Sequence, residues 1–157
     1  MKNDLLTPGN LLKSTLAEIE ISYNPTYKVS ELPMVDSSNK AYTFLKDIFP
    51  SLSYREYFYI LCLSRSNKAL GYSQISMGGI SGTVTDVRII MQTALKSNAS
   101  AIILAHNHPS GNLQPSESDK KVTGKIKEAG QLLEITVLDH LILTSETYLS
   151  FADEGLM

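Results

Sequence analysis

The sequence predicts an α/β fold in which helices flank a mixed β-sheet. Two observations lead to this prediction. Strand-like and helix-like segments alternate along most of the chain, as they do in α/β domains. One of these segments, Ala101 to Ala105, is apolar at every position, which is typical of a strand buried on both faces of a sheet. The length of 157 residues and the hydrophobic share of 43% suit a single domain with a substantial core.

Residues 1 to 36 are predicted to form an arm that precedes the main domain, which spans residues 37 to 157. Within the arm, apolar and polar residues alternate from Ala17 to Tyr23, as expected of an edge strand. Asn24 and Pro25 then break the strand. Such a strand can pair with a second chain, although the sequence itself indicates no oligomeric state.

The main domain is predicted to alternate between strands and helices. Ser37 and Ser38 can cap its first helix and Pro50 ends it, while the polar turn Arg65 to Lys68 joins two strands. A glycine cluster at residues 78 to 82 predicts a loop. After the first helix, the predicted elements are strands Tyr57 to Ser64 and Ala69 to Met77, a helix from about Asp86 to Ser97, strand Ala101 to Ala105, a helix from Ser116 to Gly130 or Gln131, strand Ile135 to Thr144, and a tail from Tyr148 to Met157.

Composition and charge narrow the range of functions. The net charge is −2 and the basic residues are scattered, so the bulk composition does not favour nucleic-acid binding. No apolar run is long enough to cross a bilayer, and the N-terminus lacks the pattern of a secretory signal, so a cytoplasmic location is expected. Cys62 is the only cysteine. An internal disulfide, a thiolate metal cluster and the cysteine-ligated zinc site of a deaminase are therefore excluded.

Two histidines follow the buried strand directly. His106 and His108 are two residues apart, and side chains at this spacing point to the same side of an extended chain. Pro109 and Gly111 then turn the chain out of the sheet. The histidines are therefore predicted to converge at a strand end, where open α/β sheets usually bind ligands.

Asp119 is predicted to complete a metal site with these histidines. Ser116 to Asp119 form an S-x-x-D capping pattern, which places Asp119 in the first turn of the next helix. Its carboxylate can turn toward the histidines. Two imidazoles and one carboxylate leave a fourth position for water, as in catalytic zinc sites, whereas structural sites use four protein ligands. We therefore predict that His106, His108 and Asp119 bind zinc.

This motif resembles that of a known family. The string His106 to Gly111, followed by Ser116 and Asp119, looks like the JAMM motif of MPN-domain metalloproteases. Together with Asp139 to Ile142, it resembles the RadC family in particular. The resemblance runs from about Arg55 to Gly155, and it implies a single MPN/JAMM-type domain with a cytidine-deaminase-like architecture.

The resemblance also implies the roles of two further residues. Glu56 matches the glutamate that acts as general base in the family, although its position alone also suits an ordinary charge at a strand edge. Ser116 matches the serine that hydrogen-bonds the tetrahedral intermediate, a role compatible with capping a helix. The implied function is that of a zinc-dependent hydrolase, a peptidase or isopeptidase that cleaves an amide bond with zinc-activated water.

RadC proteins commonly carry an N-terminal helix-hairpin-helix module that binds DNA, and residues 1 to 36 show no sign of one. The resemblance is therefore to a short form of the family. The alternative function is that of a non-catalytic, metal-binding scaffold in DNA repair or recombination. Nothing in the sequence separates a peptide substrate from an isopeptide or another amide.

Several polar residues outside the motif are expected to have structural roles. His140, in an apolar segment, is expected to be a core histidine held by hydrogen bonds; support of the metal ligands from behind is the alternative. Four lysines are expected to form the solvated face of a helix, with nucleic-acid contact as the alternative: Lys120, Lys121, Lys125 and Lys127.

Overall fold

The computed structural model describes residues 24 to 79 and 83 to 157. The strand predicted from Ala17 to Tyr23 and residues 80 to 82 of the glycine-rich loop lie outside these ranges. In the described part of the arm, residues Val29–Glu31 form a 3-10 turn. None of the helices in the described ranges is long and apolar enough to span a membrane.

The fold is α/β, as the sequence predicts, with one mixed sheet and three α-helices among the described residues. The strands are β1 (Tyr57–Leu63), β2 (Ala69–Met77), β3 (Ala101–Asn107), β4 (Thr136–Leu143) and β5 (Tyr148–Ser150). The helices are α1 (Ser38–Lys46), α2 (Val87–Lys96) and α3 (Glu117–Leu132). The strand order is β2-β1-β3-β4-β5. The neighbours β3 and β4 are parallel, and the other neighbouring pairs are antiparallel.

Side-chain caps define where each helix begins. Ser37 caps α1, since its hydroxyl oxygen accepts a hydrogen bond from the backbone N–H of Lys40 at 3.3 Å. Asp86 caps α2 in the same way and accepts from the N–H of Arg88 at 2.9 Å. Each cap satisfies an N–H group that has no partner within the first turn of a helix.

Successive side chains of the central strands β1 and β3 point alternately into two hydrophobic cores, one on each face of the sheet. β1 and β3 are buried at every position. Their odd-numbered residues pack in the cluster that contains Ala41 and Leu45 of α1. Their even-numbered residues pack in the cluster that contains Ile90 of α2 and Ile126 of α3. Helices thus cover both faces of the sheet, and the number of a β3 residue decides which face its side chain occupies.

The segment from Tyr148 to Met157 differs from the prediction. It is not a tail: its first three residues form β5, which pairs with β4, and Phe151 is fully buried. The buried carboxylate of Asp139 holds this segment, accepting hydrogen bonds from the hydroxyl of Ser150 at 2.6 Å and from the N–H of Ala152 at 3.0 Å. A strand of only three residues is too short for alternation to indicate it.

Candidate metal centre

His106 occupies the end of β3 and points to the side of the sheet that α2 and α3 cover. The strand continues to Asn107, further than the sequence predicted, so His106 lies within it. The residue is 2% exposed, and its imidazole lies parallel to the ring of Phe58, with the ring centroids 6.0 Å apart. His108 lies just beyond the strand, where its N–H still donates to the carbonyl oxygen of Leu143 in β4 at 2.9 Å. The sheet therefore fixes the backbone of both histidines.

A capping box fixes Asp119 at the beginning of α3, as the S-x-x-D pattern predicts. The hydroxyl oxygen of Ser116 accepts from the N–H of Asp119 at 3.1 Å, and the N–H of Ser116 donates to Asp119 Oδ2 at 2.6 Å. The helix terminus also favours a negative charge at this position. The carboxylate is thus held in one orientation by its own helix.

The three predicted ligands converge. The Nε2 atoms of His106 and His108 are 2.9 Å apart. Asp119 Oδ1 lies 3.3 Å from Nε2 of His106, and Oδ2 lies 3.6 Å from Nε2 of His108. Ligands bound tetrahedrally at about 2.0–2.1 Å from a metal lie roughly 3.3 Å from one another. The group therefore has the composition and spacing of a site that can hold a metal ion.

One hydrogen bond determines the tautomer of His108. Its Nδ1 lies 2.6 Å from the backbone oxygen of Asn112. A carbonyl oxygen can only accept, so Nδ1 carries the hydrogen. In the neutral imidazole the lone pair is therefore on Nε2, the nitrogen that faces His106 and Asp119.

A chain of buried hydrogen bonds determines the tautomer of His106 in the same way. The Thr123 hydroxyl donates to the backbone oxygen of Asp119 at 2.6 Å, so its only proton is used. Nδ1 of His140, 2.6 Å from the same hydroxyl, must then be the donor. Burial lowers the pKa of His140 and keeps it neutral, so its Nε2 accepts from Nδ1 of His106 at 2.8 Å. Nδ1 of His106 therefore carries a hydrogen, and in the neutral imidazole the lone pair is on Nε2.

The charges of the centre also fit a cation. The Asp119 carboxylate raises the pKa of His108, although burial opposes this effect. Burial disfavours the ionised form of Asp119, but the imidazoles of His106 and His108 hold its pKa well below the usual range. The centre thus holds an ionised carboxylate beside two imidazole nitrogens, each of which offers a lone pair to a metal ion once its proton is displaced. A metal ion competes with a proton for Nε2 of His108, so metal binding weakens as the pH falls through the raised pKa of His108.

His140 and Thr123 form a layer behind the ligands. Sequence reasoning expected His140 to be a core histidine held by hydrogen bonds, and the residue is fully buried and bonded at both ring nitrogens. Thr123 was not singled out. A signal was present, however, because Thr123 follows Asp119 by four positions and therefore lies on the same face of α3.

Glu56 lies immediately before β1 and lines the same cleft as His106 and His108. Its backbone is paired with the end of β2, since its carbonyl oxygen accepts from the N–H of Gly78 at 2.8 Å. The cleft has a volume of about 680 Å³ and also includes Ser116. Both residues implied by the resemblance thus line the same cleft as the three candidate ligands.

Asn107 positions the segment that carries Glu56, a role that sequence reasoning missed. It is fully buried and, as an odd-numbered residue of β3, faces away from the histidines. Its side-chain oxygen accepts from the N–H of Tyr57 at 2.8 Å. Its amide donates to the carbonyl oxygens of Leu52 at 3.0 Å and Arg55 at 2.9 Å. The sequence did contain a signal for this role. Asn107 lies between two histidines in an extended segment, so its side chain must point to the opposite face of the sheet.

We expect Asn107→Ala to lower the free energy of unfolding by about 3 kcal/mol, because three buried hydrogen bonds are lost at about 1 kcal/mol each. Urea unfolding followed by circular dichroism measures the change. Asn39→Ala, at an exposed position of α1, is the control and should change stability little. Equal stability of the two variants would contradict this role of Asn107.

Sequence comparisons identify the family. A family model described as a RadC-like JAB domain matches residues 35–156, a range that includes Glu56, Ser116 and all three candidate ligands. The chain belongs to the RadC-like JAB domain family. Both the fold and the positions of the family motif agree with this assignment.

The chain is also similar to proteins from several organisms. A "UPF0758 protein" of Flavobacterium johnsoniae is 45% identical over 82% of this chain and 56% of its own length. One from Porphyromonas gingivalis is 39% identical over 92% of this chain and 64% of its own length. Another from Chlorobaculum tepidum is 37% identical over 78% of this chain and 55% of its own length. The chain thus matches somewhat more than half of each of these relatives.

Proposed function

We propose that this RadC-like domain is a zinc-dependent hydrolase that cleaves an amide bond in a peptide or an isopeptide. The observation that carries the proposal is the convergence of three lone-pair donors, His106, His108 and Asp119, in an open cleft beside Glu56. Three protein ligands leave a further coordination position, which is the pattern of catalytic zinc sites. A compact group of two imidazole nitrogens and a carboxylate oxygen favours zinc over magnesium or calcium.

The metal would be held by Nε2 of His106, Nε2 of His108 and the carboxylate of Asp119. When bound, zinc lowers the pKa of a water molecule toward about 7 and polarises a substrate carbonyl. Asp119 is held for this role by the N–H of Ser116. The two histidines are held in the required tautomer by their Nδ1 hydrogen bonds.

Glu56 supplies the proton transfers of the reaction. Its carboxylate takes a proton from the attacking water and returns that proton to the nitrogen of the leaving amine. The amide C–N bond breaks as the amine is protonated, and a carboxylic acid and an amine are the products. Glu56 lines the cleft just before β1, and the backbone pairing with Gly78 fixes the backbone of Glu56 at this position.

Ser116 donates to the oxyanion that forms when the carbonyl is attacked. Its oxygen already accepts from the N–H of Asp119 in the capping box. This bond uses a lone pair of Oγ and leaves the hydroxyl proton free for another acceptor. Ser116 lines the cleft, so it can cap α3 and stabilise developing charge at the same time.

A panel of peptides and isopeptide-linked peptides tests this proposal. We expect the zinc-loaded protein to hydrolyse members of the panel, the chelator-treated protein to be inactive, and added zinc to restore the activity. Mass spectrometry of the products identifies the bond that is cleaved. If the protein retains zinc and cleaves none of the amides, the hydrolase proposal is wrong and the scaffold alternative is favoured.

A further inference from the structure

The wall of the cleft that α3 forms carries two lysines. Besides Asp119, four residues of this helix line the cleft: Ser118, Lys121, Val122 and Lys125. Their spacing of three, one and three positions places them in one stripe along the helix. The stripe begins beside Asp119 and leads away from the metal centre. The lysines lie about 3 Å and about 9 Å beyond Asp119 along the helix axis, at 1.5 Å per residue.

The charges of the cleft are separated along its length. Among the described residues that line it, the acidic ones are Glu56 and Asp119, both at the metal end. Apart from the two histidines and the two lysines, the other described residues that line the cleft are uncharged. The cleft is thus acidic where a metal cation would sit and basic along α3.

The lysines of α3 differ in their surroundings. The ammonium group of Lys120 forms a salt bridge with Glu117 at 2.8 Å. Lys127 lines a separate cavity on the far side of the helix. Lys121 and Lys125 line the cleft, and neither forms a salt bridge with any residue that the structure describes. Sequence reasoning treated all four lysines as one solvated face, and the structure separates this pair from the others.

We propose that Lys121 and Lys125 bind an anionic group of the substrate, a carboxylate or a phosphate. This inference rests on the proposed function and names the class of amide that the site takes. Two positive charges that form no salt bridge with a described residue attract an anion to the cleft and raise its local concentration. An extended peptide advances about 3.3–3.6 Å per residue. The anionic group therefore lies within about three residues of the scissile amide, on the side that runs along α3.

Hydroxamates test this inference without a known substrate, because a hydroxamate binds zinc directly. The probes are succinic acid monohydroxamate, which has a carboxylate tail, its phosphonate analogue, and its uncharged primary-amide analogue. Titration calorimetry at low ionic strength measures their affinities for the zinc-loaded protein. We expect an anionic probe to bind about tenfold tighter than the uncharged one, since two partly exposed ion pairs contribute about 0.7 kcal/mol each. Comparison of the carboxylate and phosphonate tails identifies the preferred anion.

The double variant Lys121→Gln/Lys125→Gln should lose this preference, and Lys127→Gln should keep it. Both are exposed substitutions, and the zinc content of each variant shows that the metal centre is unchanged. Equal affinity of all three probes for the wild type, or an unchanged preference in the double variant, would overturn the inference alone. If the protein binds no zinc, or none of the probes, the proposed function fails and the inference fails with it.

Discussion

Glu56→Gln is expected to retain bound zinc and to lower amide hydrolysis by a factor of about 10²–10⁴. Glutamine has nearly the same shape as glutamate, but its amide cannot take a proton from water near neutral pH. Glu56 is not one of the three converging donors, so metal binding does not require it. Its hydrogen bond with Gly78 uses the backbone and is unaffected by the substitution. The rate of hydrolysis and the zinc content of the same preparation are the two measurements.

Glu128→Gln is the matched control for this prediction. Glu128 is exposed on α3 and lines the cavity on the far side of that helix, so both activity and zinc content should stay at the wild-type level. Full activity of Glu56→Gln would show that Glu56 is not the base. Loss of zinc from Glu56→Gln would show instead that Glu56 is a ligand.

Thr123→Val is expected to weaken zinc binding by a factor of about 10–100, the usual effect of removing a residue that orients a metal ligand. The substitution preserves the shape of the side chain and removes the hydroxyl that accepts from His140. Without that bond His140 is free to change tautomer, and its Nε2 is no longer held as the acceptor for His106. His106 then loses the interaction that keeps its lone pair directed at the metal. Competition with a chromophoric chelator measures the affinity.

Thr43→Val separates this effect from the loss of an ordinary helical hydroxyl. The Thr43 hydroxyl donates to the backbone oxygen of Asn39 at 2.9 Å, the same type of bond that Thr123 makes to Asp119. Thr43 is exposed on the outer side of α1 and far in sequence from the candidate ligands, so removal of its hydroxyl should leave zinc affinity unchanged. Thermal unfolding of the metal-free variants shows whether either substitution destabilises the fold. Wild-type zinc affinity in Thr123→Val would contradict the positioning role.

Much of the fold follows from the periodicity of the sequence. The apolar run at Ala101 predicted a strand buried on both faces, and β3 is buried at every position. The S-x-x-D pattern predicted the beginning of α3, and the capping box is present. Both signals are local, because each of them lies within a single short segment of the sequence. β5 was missed because its place depends on the distant carboxylate of Asp139 rather than on its own pattern.

The residues of the candidate site likewise fall into those that local patterns predicted and those that depend on distant pairing. The spacing of His106 and His108 and the cap at Asp119 are local features, and they were sufficient to predict that these residues come together. Glu56 joins them only through the pairing of β1 with β3, which no local pattern encodes, so only the family resemblance selected it. Asn107 acts across the same strand pair, and for this reason its role emerged only from the structure.

The zinc content of the untagged protein tests the central claim most directly, with the wild type compared with His108→Ala. His108 is only partly buried, so its removal should leave the fold intact, and circular dichroism verifies this. We predict about one zinc per chain in the wild type and loss of most of it in the variant, because two protein ligands remain where catalytic zinc sites use three. Absence of zinc from wild-type protein prepared with zinc supplied, or an equal zinc content in His108→Ala, would contradict the metal centre described above.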